Sequence, residues 1–264
     1  MQKYIGRAKI NVTLEIVGVS EGKHRIDSVF YPTDVCDRAW AERADSIEIT
    51  YTDGRRYEND VAYRAAERIS ARFGGIGLKM RIEKGIPEKA GLGGSSVDAG
   101  LAIRAMRDLY SLPTIEPESL LPIGSDVPYF VRGGVCRVRG LGERTEEIRL
   151  PKLYGLILVP DSGVDTGECY RLYDRIGGDS GSTEAFLEQV GRGIVKPFNA
   201  LQRAGERLNE KVSEGLRVLE GAGFIACMTG SGSATYGITT DRDAFEEGKK
   251  RLIGKADGFT VYAI

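Results

Sequence analysis

The segment Gly91-Leu-Gly-Gly-Ser-Ser96 constrains this chain more than any other. Before it, Leu78 to Ile82 alternates apolar and polar residues, which predicts a strand; after it, Val97 to Tyr110 carries Leu101, Ala105 and Leu109 on one stripe, which predicts a helix. A glycine-serine turn between the two lets the backbone approach a ligand closely. The following helix adds free amides and about half a positive charge. Together they suit an anion such as a nucleotide's phosphates, although the same turn would also serve plain chain reversal. The common nucleotide signatures are missing: no Gly-Lys pair is followed by Ser or Thr, and Ser96 stands where a dinucleotide fingerprint needs glycine.

A second glycine-serine cluster, Met228-Thr-Gly-Ser-Gly-Ser233, follows a short apolar run; it is either an ordinary turn or a second loop closing over the same phosphates. Glycine supplies 35 of the 264 residues, against a usual share of ~7%. Asp126, in Gly124-Ser-Asp-Val-Pro-Tyr129, either closes a turn onto nearby amides or orients or deprotonates a substrate hydroxyl. Lys9 heads an alternating run, Lys9 to Val17, whose Ile10, Val12, Leu14 and Ile16 share one face. Its plain reading is an exposed lysine on the polar face.

Further strands are expected over 46–51, 127–130, 134–138, 156–159, 224–228, 234–238 and 259–263. Helices are expected over 60–73 with Asp60 as cap, 184–192, 243–252, and as one long element over 199–220. Residues 143–149 gather charge, and Gly177 to Thr183 reads as an exposed polar loop. The elements mix without strict alternation, which predicts an α+β fold. Pro151 is the expected boundary between residues 1–150, with the phosphate turn and Asp126, and residues 151–264, with the second cluster.

Composition removes several functions. With 37 basic and 38 acidic side chains the net charge is -1, so no global field draws nucleic acid or an anionic membrane; a local patch would be needed. Four widely spaced cysteines and the single histidine, His24, argue against a resident metal site and for free thiols. The N-terminus lacks an apolar signal core, and apolar runs stay far below the ~18 residues of a membrane span. A soluble cytoplasmic protein is the expectation.

Taken in order, Ala8-Lys-Ile-Asn11, Pro87 to Ser96 and Met228 to Ser233 resemble the three motifs of the GHMP kinase superfamily. Gly22-Lys-His24, Gly124 to Phe130 and Gly140-Leu-Gly-Glu143 are similar to segments of its 4-diphosphocytidyl-2-C-methylerythritol kinase family. The resemblance spans nearly the whole chain. It implies a ribosomal-S5-like N-terminal domain, a ferredoxin-like C-terminal domain and ATP-dependent phosphorylation of a small alcohol in non-mevalonate isoprenoid synthesis.

It also implies roles. Asp126 would be the catalytic carboxylate with Lys9 as partner. Gly91, Leu92, Gly93, Gly94, Ser95 and Ser96, with Gly230, Ser231 and Gly232, would hold ATP. Asn11, Lys23, His24, Thr166 and Tyr170 would hold the acceptor, His24 touching its cytosine and Tyr170 stacking on it. Mg2+ would arrive with ATP rather than at a protein metal site, and the chain would act as a monomer or homodimer.

Three positions depart from the family pattern. Ser95 replaces a glycine, which predicts a differently seated loop or weaker ATP binding; Val97 replaces a serine; and Lys23 replaces the tyrosine that stacks on the cytosine. Two rival readings follow. One is a diverged kinase acting on another small alcohol or phosphorylated polyol, with Lys23 as an anion contact. The other is a silent ligand sensor, although such a protein is expected to have lost Lys9 or Asp126, and both are present.

Overall fold

The computed structural model describes residues 1–20 and 22–264. Its first half contains β1 (Gln2–Ser20), β2 (Lys23–Glu42), β3 (Ile47–Tyr51), α1 (Val61–Arg72), β4 (Leu78–Glu83), α2 (Gly94–Tyr110), a 3-10 turn (Pro117–Leu120), α3 (Val127–Arg132), β5 (Cys136–Gly140) and β6 (Arg144–Glu147). The second half contains β7 (Tyr154–Pro160), α4 (Thr166–Ile176), α5 (Thr183–Val190), β8 (Phe198–Asn199), α6 (Gln202–Leu208), α7 (Glu210–Gly221), β9 (Ile225–Met228), β10 (Thr235–Thr239), α8 (Arg242–Leu252) and β11 (Phe259–Ala263).

Two sheets organise these elements into the expected α+β, two-domain GHMP kinase fold. The first runs β3-β4-β2-β1-β8, with β5 on β2 and β6 on β5; the second runs β11-β7-β10-β9. The long β2 serves two partners on one edge: Ile26–Phe30 pair with β5 and Arg38–Glu42 with β4. Helices α1 and α2 cover the first sheet, whose core holds Ile10, Val12, Ile69, Met80, Leu101 and Met106.

The central strand is buried on both faces. Ile10 and Val12 enter the first core, while Lys9, Asn11 and Thr13 point the other way and are also buried: Thr229 meets Asn11 and Thr183 meets Thr13 from the second half, and Gly91 and Asp126 meet Lys9. The reading of Lys9 as an exposed polar-face residue is therefore corrected: alternation shows which residues share a face, not what covers it. A register shift between Arg7 and Lys9, where the β2 partner jumps from Cys36 to Pro32, sits immediately before the lysine.

Three segments differ from their sequence expectations. Val127–Arg132 is a helix, not a strand: Pro128 lies in its first turn, where its fixed φ suits a helix, and full burial removes the polar spacing that would have shown it. The stretch over 199–220 is β8 followed by two helices, broken at Asn209, whose extended backbone (φ -150°) ends α6 while its side chain accepts the Lys211 amide. Charged residues 144–147 form β6.

Candidate active site

A cavity of about 610 Å³ opens where β1, the start of α2, α3 and the second half meet. Its construction begins with α2. The helix starts at Gly94, three residues before the start expected at Val97, and Gly93 precedes it in the left-handed region at φ 82°. A Cβ on Gly93 would lie 2.6 Å from Phe130 Cζ, so both conformation and space demand glycine. Ser95 falls inside the first helical turn, where a side chain costs nothing. Val97 is buried against Gly6.

The two glycine clusters are stitched together. The Ala234 amide donates to the Ala90 carbonyl, and a Cβ on Gly91 would run into the Thr229 carbonyl oxygen. Asn199 Nδ2 donates to the carbonyls of Met228 and Gly230, both at 2.8 Å, and its Oδ1 accepts the Leu201 amide. Ser231 Oγ lies 2.9 Å from Thr166 Oγ1 at the start of α4. Gly230 and Ser231 line the cavity; Gly232 does not, and packs against Met228 instead.

Lys9 reaches in from β1. Its Nζ donates to Asn11 Oδ1 (2.6 Å) and to the Gly91 carbonyl (3.0 Å), and stands 3.7 Å from Asp126 Oδ2. Burial pushes the ammonium below its ordinary pKa, and Asp126 pulls it back. Asp126 occupies the cap position of α3, but its side chain takes no amide there, so the turn-closing role is not what holds it. Its carboxylate faces the cavity. Asn11 is fixed on three sides: Nδ2 donates to Ser28 Oγ, Oδ1 accepts Lys9, and the backbone amide donates to Thr229 Oγ1.

Not every expected residue lines this cavity. Asn11, Thr166 and Tyr170 do, as do Gly91 to Ser96. His24 sits outside it, its ring 4.7 Å from that of Tyr170. Lys23 is exposed at the hairpin joining β1 to β2. The arrangement can hold a run of phosphates along the start of α2 and present a hydroxyl to the Lys9–Asp126 pair.

Known proteins place this geometry. The chain is 32% identical over 259 residues to the 4-diphosphocytidyl-2-C-methyl-D-erythritol kinase of Pelotomaculum thermopropionicum, covering 91% of this chain and 90% of that one. The enzyme of the same name from Desulfitobacterium hafniense is 33% identical over 256 residues, covering 91% and 88%. This chain belongs to the 4-diphosphocytidyl-2-C-methyl-D-erythritol kinase family. Residues 60–134 match the GHMP kinases N terminal domain. A crystal structure of a 4-(cytidine 5'-diphospho)-2C-methyl-D-erythritol kinase superposes with a TM-score of 0.82 at 29% identity, covering 99% of this chain and 98% of that one. A phosphomevalonate kinase from Streptococcus pneumoniae shares the fold, with a TM-score of 0.72 at 13% identity and full coverage of both chains. As a member of this kinase family the chain is an ATP-dependent phosphotransferase.

For a 4-diphosphocytidyl-2-C-methyl-D-erythritol kinase, sequence reading missed one whole lobe of the cavity: Tyr51, Tyr57, Asn59, Asp60 and Lys84. Asp60 was legible only as the cap of α1, where Oδ1 accepts the Ala62 and Tyr63 amides while Oδ2 accepts the Tyr51 hydroxyl. Lys84 Nζ lies between Asp37 Oδ2 (2.5 Å) and Asp98 Oδ2 (2.6 Å), all three buried under the start of α2. These residues have no common motif, so only the fold brings them together. Asn199 was equally silent, buried in a stretch read as helix.

Proposed function

We propose that this chain transfers the γ-phosphoryl group of ATP to the 2-hydroxyl of 4-diphosphocytidyl-2-C-methyl-D-erythritol, in non-mevalonate isoprenoid precursor synthesis. The observation that carries this reading is the Lys9–Asp126 pair, 3.7 Å apart, at the foot of a cavity lined by both glycine clusters. Phosphoryl transfer needs positioning and charge neutralisation more than covalent chemistry. The amides of Gly91 to Ser96 and the dipole of α2 hold the phosphates, with Gly230 and Ser231 closing over them. Asp126 orients the acceptor hydroxyl and takes its proton, and the Lys9 ammonium steadies the charge that develops on the attacking oxygen. Asn11 and Thr166 hold the methylerythritol end, and His24 and Tyr170 the cytosine, at the edge of the cavity.

Mg2+ fits this cavity as an ion carried by ATP. Asp126 and the Ser96 hydroxyl offer hard oxygens that would hold it beside the phosphates, and among the described residues no group of three or more acidic, histidine or cysteine side chains forms a metal site. When bound, the ion neutralises phosphate charge. We place the work of residues 1–150 in ATP binding and chemistry, and that of residues 151–264 in closing the site. Among the described residues no helix is long and apolar enough to cross a membrane, in keeping with a cytoplasmic enzyme.

The exposed Lys23 favours one second reading, in which the acceptor is another small alcohol or a phosphorylated polyol. Both are tested by following ADP release from Mg-ATP with cytidyl-methylerythritol diphosphate, mevalonate, phosphomevalonate, homoserine and sugars. Turnover of the cytidyl compound alone supports the first; turnover of a different acceptor alone overturns it and supports the second.

A further inference from the structure

His24 is the only histidine of the chain, and three side chains of α4 grip its ring. Tyr170 lies against one face at 4.7 Å with a 30° tilt, and Tyr173 meets it edge-on at 6.2 Å. Asp174, one helical turn beyond Tyr170 on the same side of α4, brings Oδ1 to 2.7 Å from His24 Nε2. The ring is largely buried, while the aspartate is 52% exposed. Nδ1 has no partner among the described residues.

A carboxylate can only accept a hydrogen bond, so a neutral ring held against it must carry its proton on Nε2. Nδ1 then presents a bare lone pair. At the 4-position a cytosine offers an amino group and a uracil offers a carbonyl oxygen. A fixed acceptor pairs with the first and repels the second. Because Asp174 also fixes the ring in space, turning it to offer a donor means giving up the 2.7 Å bond and the packing on both tyrosines.

We infer that Asp174 is a positioning residue that selects the base: by holding His24 as the Nε2–H form in one orientation, it makes the site accept a cytosine and reject a uracil. The inference rests on the cytidyl substrate reading and deepens it. Asp174 itself touches neither substrate nor phosphate; it acts through His24. Nothing in the sequence marks it, since the pairing joins residues 150 positions apart.

The test uses the full chain in one alkaline buffer throughout. kcat and KM are measured with the cytidyl and the uridyl forms of the diphosphate substrate for wild type, Asp174→Ala and Asp174→Glu. Wild type should prefer the cytidyl form at least tenfold to hundredfold, the discrimination that one well-placed polar pair supplies. Asp174→Ala should cut that preference roughly tenfold, mainly through KM, and Asp174→Glu, which keeps an acceptor, should move it back toward wild type. With one histidine present, nitrogen chemical shifts of labelled protein read the ring directly, and wild type should show protonated Nε2 and bare Nδ1. A preference unchanged in Asp174→Ala, or a wild-type ring protonated on Nδ1 alone, overturns the inference while leaving cytidyl turnover intact. A wild type that does not turn over the cytidyl form overturns the substrate reading and this inference with it.

Discussion

Lys9 and Asp126 face each other across 3.7 Å, yet they sit in different surroundings: the lysine side chain is 4% exposed and the carboxylate 28%. The ammonium is held by Asn11 and Gly91, whereas the carboxylate takes no amide at the start of α3 and is open to the cavity. The pair is thus one fixed charge and one available proton acceptor. Asp126→Asn should lower kcat by about 10²–10⁴-fold, the usual worth of a general base. ATP affinity measured by calorimetry without Mg2+ should stay within about threefold of wild type, because the glycine turn and the start of α2 carry the phosphate contacts in this reading. Normal turnover in this variant would remove Asp126 from the chemistry.

Gly93 tests the geometry of the turn. A Cβ there would run into the Phe130 ring at 2.6 Å and rest in ordinary contact, at 3.7 Å, with Lys9 Cε. It also forces a non-glycine residue to φ 82°, at a cost of roughly 1–2 kcal/mol. Gly93→Ala should therefore lower kcat by pushing on Phe130, whose amide donates to the Asp126 carbonyl in the first turn of α3, besides lowering the melting temperature. A variant with raised KM for ATP and unchanged kcat would show that the Cβ meets nucleotide instead.

The buried Asp37–Lys84–Asp98 group carries two carboxylates and one ammonium. Asp37 is fully used, its Oδ1 accepting the Gly85 and Ile86 amides, whereas Asp98 Oδ1 is buried with no hydrogen-bond partner. Burial, with Asp37 adding to it, pushes the Asp98 carboxyl well above its ordinary pKa despite Lys84. The folded state thus keeps a proton that the unfolded chain releases, so this contribution is full below the unfolded value and is lost as pH rises through the folded one. Asp98→Asn should stabilise the protein more at pH 8 than at pH 5, read from urea midpoints. Asp37→Ala should destabilise at both, by about 3–5 kcal/mol, because it strips two amides and a buried ammonium of their partner.

Asn199 holds the second glycine cluster in place through three hydrogen bonds. Asn199→Ala leaves the carbonyls of Met228 and Gly230 and the Leu201 amide unpaired, at about 1–3 kcal/mol for each group that water cannot reach. The loop should loosen, with KM for ATP rising and the melting temperature falling. An unchanged KM would mean that Gly230 and Ser231 play no part in nucleotide binding.

The sequence carried the local chemistry of the site better than its surroundings. Turn, cap and period signals located α1, with its Asp60 cap, and the glycine turn before α2. They failed where tertiary context decides. Val127–Arg132 has an apolar run too short and too buried to show a helical period, and the exposed-looking Lys9 is buried among Phe30, Gly91 and Asp126, brought to it from other elements. Tyr57, Lys84 and Asn199 belong to no motif. Ser95 taught the opposite lesson: a departure that looked disruptive in the motif falls in ordinary helix.

The small strand β8 has a mechanical consequence. It leaves the second half and joins the first sheet, pairing Phe198 and Asn199 in parallel with Thr13 and Leu14, while Ala200 donates to the Leu14 carbonyl and Thr183 bonds Thr13 and the Asp27 carbonyl. The same strand carries Asn199, the brace of the Gly230 loop. A clamshell motion of the two halves would tear this seam, and would drag the Gly230 loop along with it. Grip on the ligands must then come from side chains and short loops at the rim, around a hinge that has been welded shut.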